Sequence, residues 1–387
     1  MAQIVSQSEI SKKILELYRQ WTQSQESMAP GTGETIIIDD LADQRTLFSE
    51  ESPVRLENGF QQILESSGCL PYDHVLKIHN SIAYQESIGK EATVEAVAKT
   101  GGDFVEVPED YLVALRKSVE DLQSSIGNSP SPPAGDRPDL MIWVQAIIDD
   151  GFDFLKSRCP ILQPIDISLI ESDGHPEFAA RVKTDEFGRL ICVMPSLQTP
   201  TPLFLYQMIH EVLGHGLHFS QLKANKLLQK GTPHLLALSI HTHENFFLEA
   251  MAQLITTKML WSDWNLPNKK KIQLCDLKER LVRASIHKIL PKLLAAEISI
   301  DEAARLHMNY CPGMLNGEII KRRYSALKAS TFNSKVFANY FSAFKAVEPL
   351  LAAKEEQFFS IFPPLIQEYY TPESLRQFVK SVCEPKF

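Results

Sequence analysis

Positive charge is in short supply in this chain: Lys and Arg number 39 against 48 Asp and Glu, a formal net charge of −9 at neutral pH. That deficit argues against a nucleic-acid grip or an anionic membrane surface, both of which need clustered cations. The basic runs at 268–271 and 321–323 are short and read as solvated helix ends. Six cysteines are scattered without a CxxC pair, a pattern that suits free thiols in a reducing cytoplasm better than a disulfide framework. No apolar run is long enough for a membrane span. The first residues, MAQIVSQSEISKK, lack the basic start and apolar core of a secretory signal, so a cytoplasmic protein is expected. There is no internal repeat.

Apolar residues make up 44% and charged residues 22%, the balance of a folded globular chain, which excludes extensive disorder. The 387 residues allow two or three domains, or one large unit with a smaller appendage. Helix-period apolar positions recur at 8–24 and 110–125, with a short extended piece, ETIIIDD, between them. The Pro/Gly/Ser-rich stretch GNSPSPPAGDRPD, at 127–139, predicts a linker or long surface loop. It divides a mixed, mostly helical region, 1–126, from a second region, 140–387. That second region opens with a helix, LMIWVQAIIDDGFDFLKS. Around 165–195, β-branched runs punctuated by DEFG predict hairpin strands of a small sheet. After Pro202 the pattern is helical almost to the end, with breaks expected at KGTP, NLPNKK, CPGMLNG and FPP. The expected fold is mainly α with a small β-sheet, an α+β class.

Chemistry concentrates in YQMIHEVLGHGLHF, Tyr206 to Phe219. A helix presents two histidines on one face when they are four apart, an offset of about 40°, whereas five apart gives about 140°. His210 and His215 are five apart. To share a metal they need a locally widened helix, and a single π-type turn supplies it. Gly214, directly before His215, makes such a distortion cheap. Glu211, beside the first histidine, stands where zinc hydrolases place the base that deprotonates water. The apolar flanks Met208, Ile209, Val212 and Leu213 imply burial, and two buried histidines with a carboxylate need a partner. His218 is either a group supporting the site or a surface residue.

HEVLGH resembles the HExxGH motif of dipeptidyl peptidase III, which has the same extra residue. MIHEVLGHGLHF is similar to the zinc helix of thimet-type oligopeptidases, with its HEFGHALH core. The broader resemblance, over roughly residues 140 to 350, is to a bacterial gluzincin family catalogued as domain of unknown function 885. It is carried by MPSLQTPTPLFLYQMIHEVLGH, although that family's motif is one residue longer and has a proline and a second histidine after the glycine. The resemblance implies a gluzincin-like metallopeptidase with a helix-walled cleft, Zn2+ as cofactor and 140–387 as its catalytic region.

Gluzincins take their third ligand from a glutamate on a following helix, and two candidates lie in HLLALSIHTHENFFLEAMAQLITTKML. Glu249, in FLEAMAQL, resembles the ligand context of thimet-type and thermolysin-type enzymes. Glu244, in HEN, is similar to that of some carboxypeptidases. Five apart on a helix, they point about 140° away from each other. Glu244 shares its face with Ile240, Phe247, Leu248 and Met251 and would need a metal or a cation. Glu249 shares its face with Asn245, Phe246 and Gln253, which suits the rim of a wet cleft. His241 and His243 could form a separate site. For the oxyanion donor, RASIHKILPKLLAAEISIDEAARLHM, KRRY and FANYFSAFKAVEPL resemble the family's later segments, which marks Arg323, Tyr324 and Tyr340 as further catalytic residues. The expectation is a zinc metallopeptidase acting on short peptides or peptide-like small molecules, with no nucleic-acid or membrane partner. Two rivals stand beside it: a non-haem iron oxygenase or oxidase using the same His/His/Glu ligands, and a non-catalytic helical scaffold with a degenerate site.

Overall fold

A computed structural model describes residues 16–17, 35–37, 61, 72–126, 140–171, 181–184, 190–194, 201–225, 237–239 and 242–383. The expected helix at 8–24, save for 16–17, the proposed linker at 127–139, and His241 lie outside these residues.

The described chain is mostly helical, with two small sheets. In order it runs β1 (Thr35–Ile37), α1 (Tyr72–Ser87), α2 (Val94–Lys99), α3 (Glu109–Ile126), α4 (Leu140–Arg158), β2 (Ser168–Glu171), β3 (Arg181–Thr184) and β4 (Leu190–Met194). One long helix follows in three parts: α5 (Pro202–Met208), a π-helical segment (Ile209–Gly216) and α6 (Leu217–Ala224). The rest is β5 (Ala237–Ser239), α7 (Glu244–Leu260), α8 (Lys269–Leu294), α9 (Ile300–Tyr310), α10 (Gly317–Ala329), α11 (Thr331–Leu351), α12 (Glu355–Gln367) and α13 (Pro372–Cys383).

The expected hairpin strands form an antiparallel pair, β3 with β4 (Val182 opposite Cys192), and β2 adds to β4 in parallel. β5, inside a stretch that reads as helical, is a strand because β1 pairs with it antiparallel, Thr35 opposite Ser239. The expected break at FPP is absent. α12 runs through Pro363 and Pro364, held by Phe358, Phe362, Leu365 and Ile366 in the core. That burial outweighs the two hydrogen bonds the prolines cannot donate. CPGMLNG and NLPNKK do interrupt the helices.

Two hydrophobic cores form. One gathers α4, β4, the 202–224 helix, α7, α12 and α13; the other gathers α2, α3, α8, α9 and α10. α7 is the strut between surrounding elements, and every residue of it but Lys258 is buried, as expected of a helix apolar on most faces. Its N-terminus is tied to the N-terminal helices. Lys77 Nζ of α1 donates to Glu244 Oε1 at 2.7 Å, and the backbone N–H of His243 donates to Asn80 Oδ1 at 3.0 Å. Gly101, at φ +85°, lets the chain cross here, since a Cβ would stand 2.4 Å from the His243 nitrogen.

Candidate metal centre

The helix that carries the histidines starts where its sequence says it should. Thr201 Oγ1 accepts from the Phe204 N–H at 3.1 Å, and Pro202 occupies the first turn. From Ile209 to Gly216 the helix widens into the π form. A π turn closes its bonds five residues on, so His210 and His215 face one space, their ring centroids 5.0 Å apart. Tyr206 stacks on His210 and Phe219 on His215, which fixes both rings. Gly214 has a second role beside tolerating the distortion: a Cβ there would lie 2.9 Å from Ala252 Cα and 3.1 Å from Ala252 O. The glycine allows α7 to press against the π turn one helical turn from Glu249.

Glu249 sits where the two rings converge. His210 Nε2 is 3.6 Å from its Oε2, and His215 Nε2 is 3.6 Å from its Oε1. These separations are too long for hydrogen bonds. They match the roughly 3.3–3.6 Å between two ligand atoms that each stand about 2.0–2.2 Å from one tetrahedral ion. His210, Glu211 and His215 also each offer a ligand atom within 4.8 Å of the other two. The donor set of two imidazoles and carboxylate therefore fits a zinc-like ion. The residues are buried: His210, His215 and Glu249 are 6%, 8% and 7% exposed, so the rim expected to be wet is closed, and Gln253 is buried with it. Gln253 Nε2 donates to the Tyr340 carbonyl at 2.9 Å and reaches Glu249 Oε2 at 3.4 Å, steadying the carboxylate.

The two carboxyls are pushed apart. Burial drives Glu211 upward, and neighbouring Glu249 adds to the shift against the two histidines. Burial also opposes ionisation of Glu249, yet the two histidines outweigh it and hold that carboxyl well below the usual range. His215, which burial alone would lower, is raised by Glu249 and Glu211. The other side of Glu211 is held by the sheet, as the Val182 N–H of β3 donates to Oε2 at 3.0 Å.

Other expected residues go elsewhere. Glu244 meets a cation rather than a metal: besides Lys77, it accepts from Tyr369 Oη at 3.0 Å and Thr242 Oγ1 at 3.2 Å. His243 has both ring nitrogens engaged, Nδ1 with Asn80 Oδ1 and Nε2 with Tyr369 Oη, each at 2.9 Å. His218 is not at the surface. It is fully buried with its ring against the edge of Phe247, neither nitrogen hydrogen-bonded, and burial lowers its pKa to about 3. Tyr324 is fully buried in the other core with its hydroxyl on His307 Nδ1, and Arg323 lies over Phe337. Tyr340 stacks under Arg283, whose guanidinium carbon is 4.3 Å from the ring centroid.

Arg283 also lies beside this cluster, outside any motif in the sequence. Burial opposes its charge, but Tyr206, Glu279, Glu249 and Tyr340 outweigh it and hold its pKa above the ordinary value; the same charge acts on His215. The signal was available in α8, where an arginine shares a stripe with Ile286, His287 and Leu290, all buried.

No family model and no curated protein matches the chain. The resemblance to the domain-885 family thus rests on its motif alone. Solved structures do match. A putative lipoprotein from Colwellia psychrerythraea is similar at TM-score 0.50 and 12% identity over 94% of this chain and 69% of its own. A putative lipoprotein of unknown function from Shewanella oneidensis gives 0.50 and 12% over 94% and 73%. Metallocarboxypeptidase 1 of Trypanosoma cruzi gives 0.50 and 11% over 97% and 98%. At such identities the likeness is one of fold. This mainly helical fold, with its small sheet, is shared with a metallopeptidase and holds a His/Glu/His group able to take a metal.

Proposed function

We propose that the chain is a metal-dependent hydrolase, a gluzincin-type zinc metallopeptidase that cleaves short peptides. In this reading His210, His215 and Glu249 hold the ion and Glu211 is the base. The observation that carries it is the pair of 3.6 Å separations between the histidine Nε2 atoms and the two oxygens of Glu249. The fold shared with a metallocarboxypeptidase supports peptides as the substrate class.

A zinc ion held there would polarise the scissile carbonyl and lower the pKa of water towards 7. Glu211 takes the proton at Oε1, because the Val182 N–H occupies Oε2, and passes it to the leaving amine. Gln253 links the Tyr340 carbonyl to Glu249, and in this reading the Tyr340 hydroxyl is the oxyanion donor. Arg323 and Tyr324 take no part in this scheme.

Iron oxygenases use the same ligands, but they do not call for the carboxylate base that Glu211 provides. The test is turnover of a peptide library by zinc-loaded protein and by Glu211→Gln. The variant should keep its zinc and lose turnover by on the order of a thousandfold or more; near-normal turnover would dismiss the mechanism.

Among the described residues no helix is long and apolar enough to cross a membrane. The described cysteines Cys159, Cys192, Cys275, Cys311 and Cys383 are unpaired, which supports a reducing, cytoplasmic setting. Recovery from an oxidising compartment on cell fractionation would overturn that placement.

A further inference from the structure

Arg283 is more than a neighbour of the metal cluster. Its guanidinium covers the Tyr340 ring at 4.3 Å. The Tyr340 carbonyl accepts from Gln253, whose amide reaches Glu249, so the arginine stands three contacts from a residue that would hold the metal. Its side chain is only 14% exposed, and the acid nearest to it, Glu279, lies 3.7 Å from Nε, beyond hydrogen-bond reach. No acceptor among the described residues takes a hydrogen bond from it. Arg280, one turn earlier, is different: both its Nε and Nη2 donate to Asp276. Nor is Arg283 sealed, since that remaining exposure leaves the side chain in reach of solvent. Its charge is balanced by the Glu279 ion pair and the Tyr340 ring, yet its N–H donors stay unused. Its planar fork fits a carboxylate through two parallel bonds.

We propose that Arg283 is the specificity-determining residue of this site and grips a carboxylate of the peptide substrate. The inference rests on the hydrolase reading for its setting. The carboxylate can come from the peptide's C-terminus or from an acidic side chain, and both sources present the same planar anion.

The experiment is calorimetric titration of zinc-loaded protein carrying Glu211→Gln, so that no probe is consumed. Three probes are used: N-acetylated tri-alanine as the free acid, the same peptide as its C-terminal amide, and an amide with its central alanine replaced by aspartate. At least one carboxylate-bearing probe should bind roughly tenfold or more tighter than the neutral amide, and which one does identifies the source. Adding Arg283→Met should abolish the gap, while Arg283→Lys, which keeps the charge but not the fork, should keep part of it. Circular dichroism checks the fold of each variant, and Arg283→Gln replaces the methionine variant if that one misfolds. Equal affinities, no measurable binding of any probe, or a gap that survives loss of the arginine would overturn the proposal. Turnover by the wild type is measured separately. Turnover without the gap overturns this inference alone, and the gap without turnover overturns the hydrolase reading alone.

Discussion

Glu244 and Glu249 stand five residues apart on α7 and have different partners. Glu249 closes on two histidines, whereas Glu244 is locked to Lys77 with both side chains fully buried. Glu249→Ala should therefore strip the protein of metal, read as zinc per chain, with little loss of fold. Glu244→Ala should keep the metal and leave Lys77 uncompensated in the interior, a loss of about 3–5 kcal/mol in denaturant unfolding. The reverse pattern would exchange the two roles. At this scale the sequence was informative where the chemistry is local: His210, Glu211 and His215 declare themselves by spacing. Glu249 was favoured over Glu244 by the residues around it, yet the expectation of a wet rim failed, because Gln253 and Asn245 are buried by α11 packing on α7. Arg283 is legible only as an arginine on the buried stripe of α8; its place over Tyr340 of α11 shows only once the helices pack.

The element that defines the site is the π turn. Five-residue spacing with a glycine before the second histidine predicts it, and the structure has it from Ile209 to Gly216. What the sequence could not show is that Gly214 also meets the backbone of Ala252, a contact made only after the two helices pack. Gly214→Val should then push α7, and Glu249 with it, off the histidines. Its β-branched side chain also resists the widened backbone. Zinc affinity in a competition titration with a chelator should fall by roughly tenfold or more, an overpacking cost of about 1–3 kcal/mol; unchanged affinity would remove the glycine from the account. Strand β5 was illegible for a related reason, as three residues of no strong period become a strand by pairing with β1, far back in the chain. α12 shows tertiary packing overriding two prolines.

At the scale of the whole molecule, four histidines among the described residues are held neutral by burial. Burial pushes His218 and His243 down to about 3, and His287 and His307 to about 4. Above the ordinary value of 6.5 neither the folded nor the unfolded chain binds these protons, so their contribution is complete. As pH falls from 6.5 towards 3–4 only the unfolded chain takes them up, and stability drains by up to about 1.4 kcal/mol per pH unit for each histidine. The melting temperature of metal-free protein should be flat above about pH 7 and fall steeply below about 6. His218→Phe, which suits a pocket made by Phe219 and Phe247, should make that fall shallower; an unchanged slope would count against the burial argument.

The claim on which the rest depends is that a π turn on one helix and a glutamate on another hold one metal ion. Anomalous diffraction at the zinc absorption edge, from crystals grown with zinc, tests it most directly. The account predicts one strong peak about 2.0–2.2 Å from His210 Nε2, His215 Nε2 and a Glu249 oxygen. A peak elsewhere, or no peak with a regular α-helix through Gly214 that turns His215 away from His210, would contradict it.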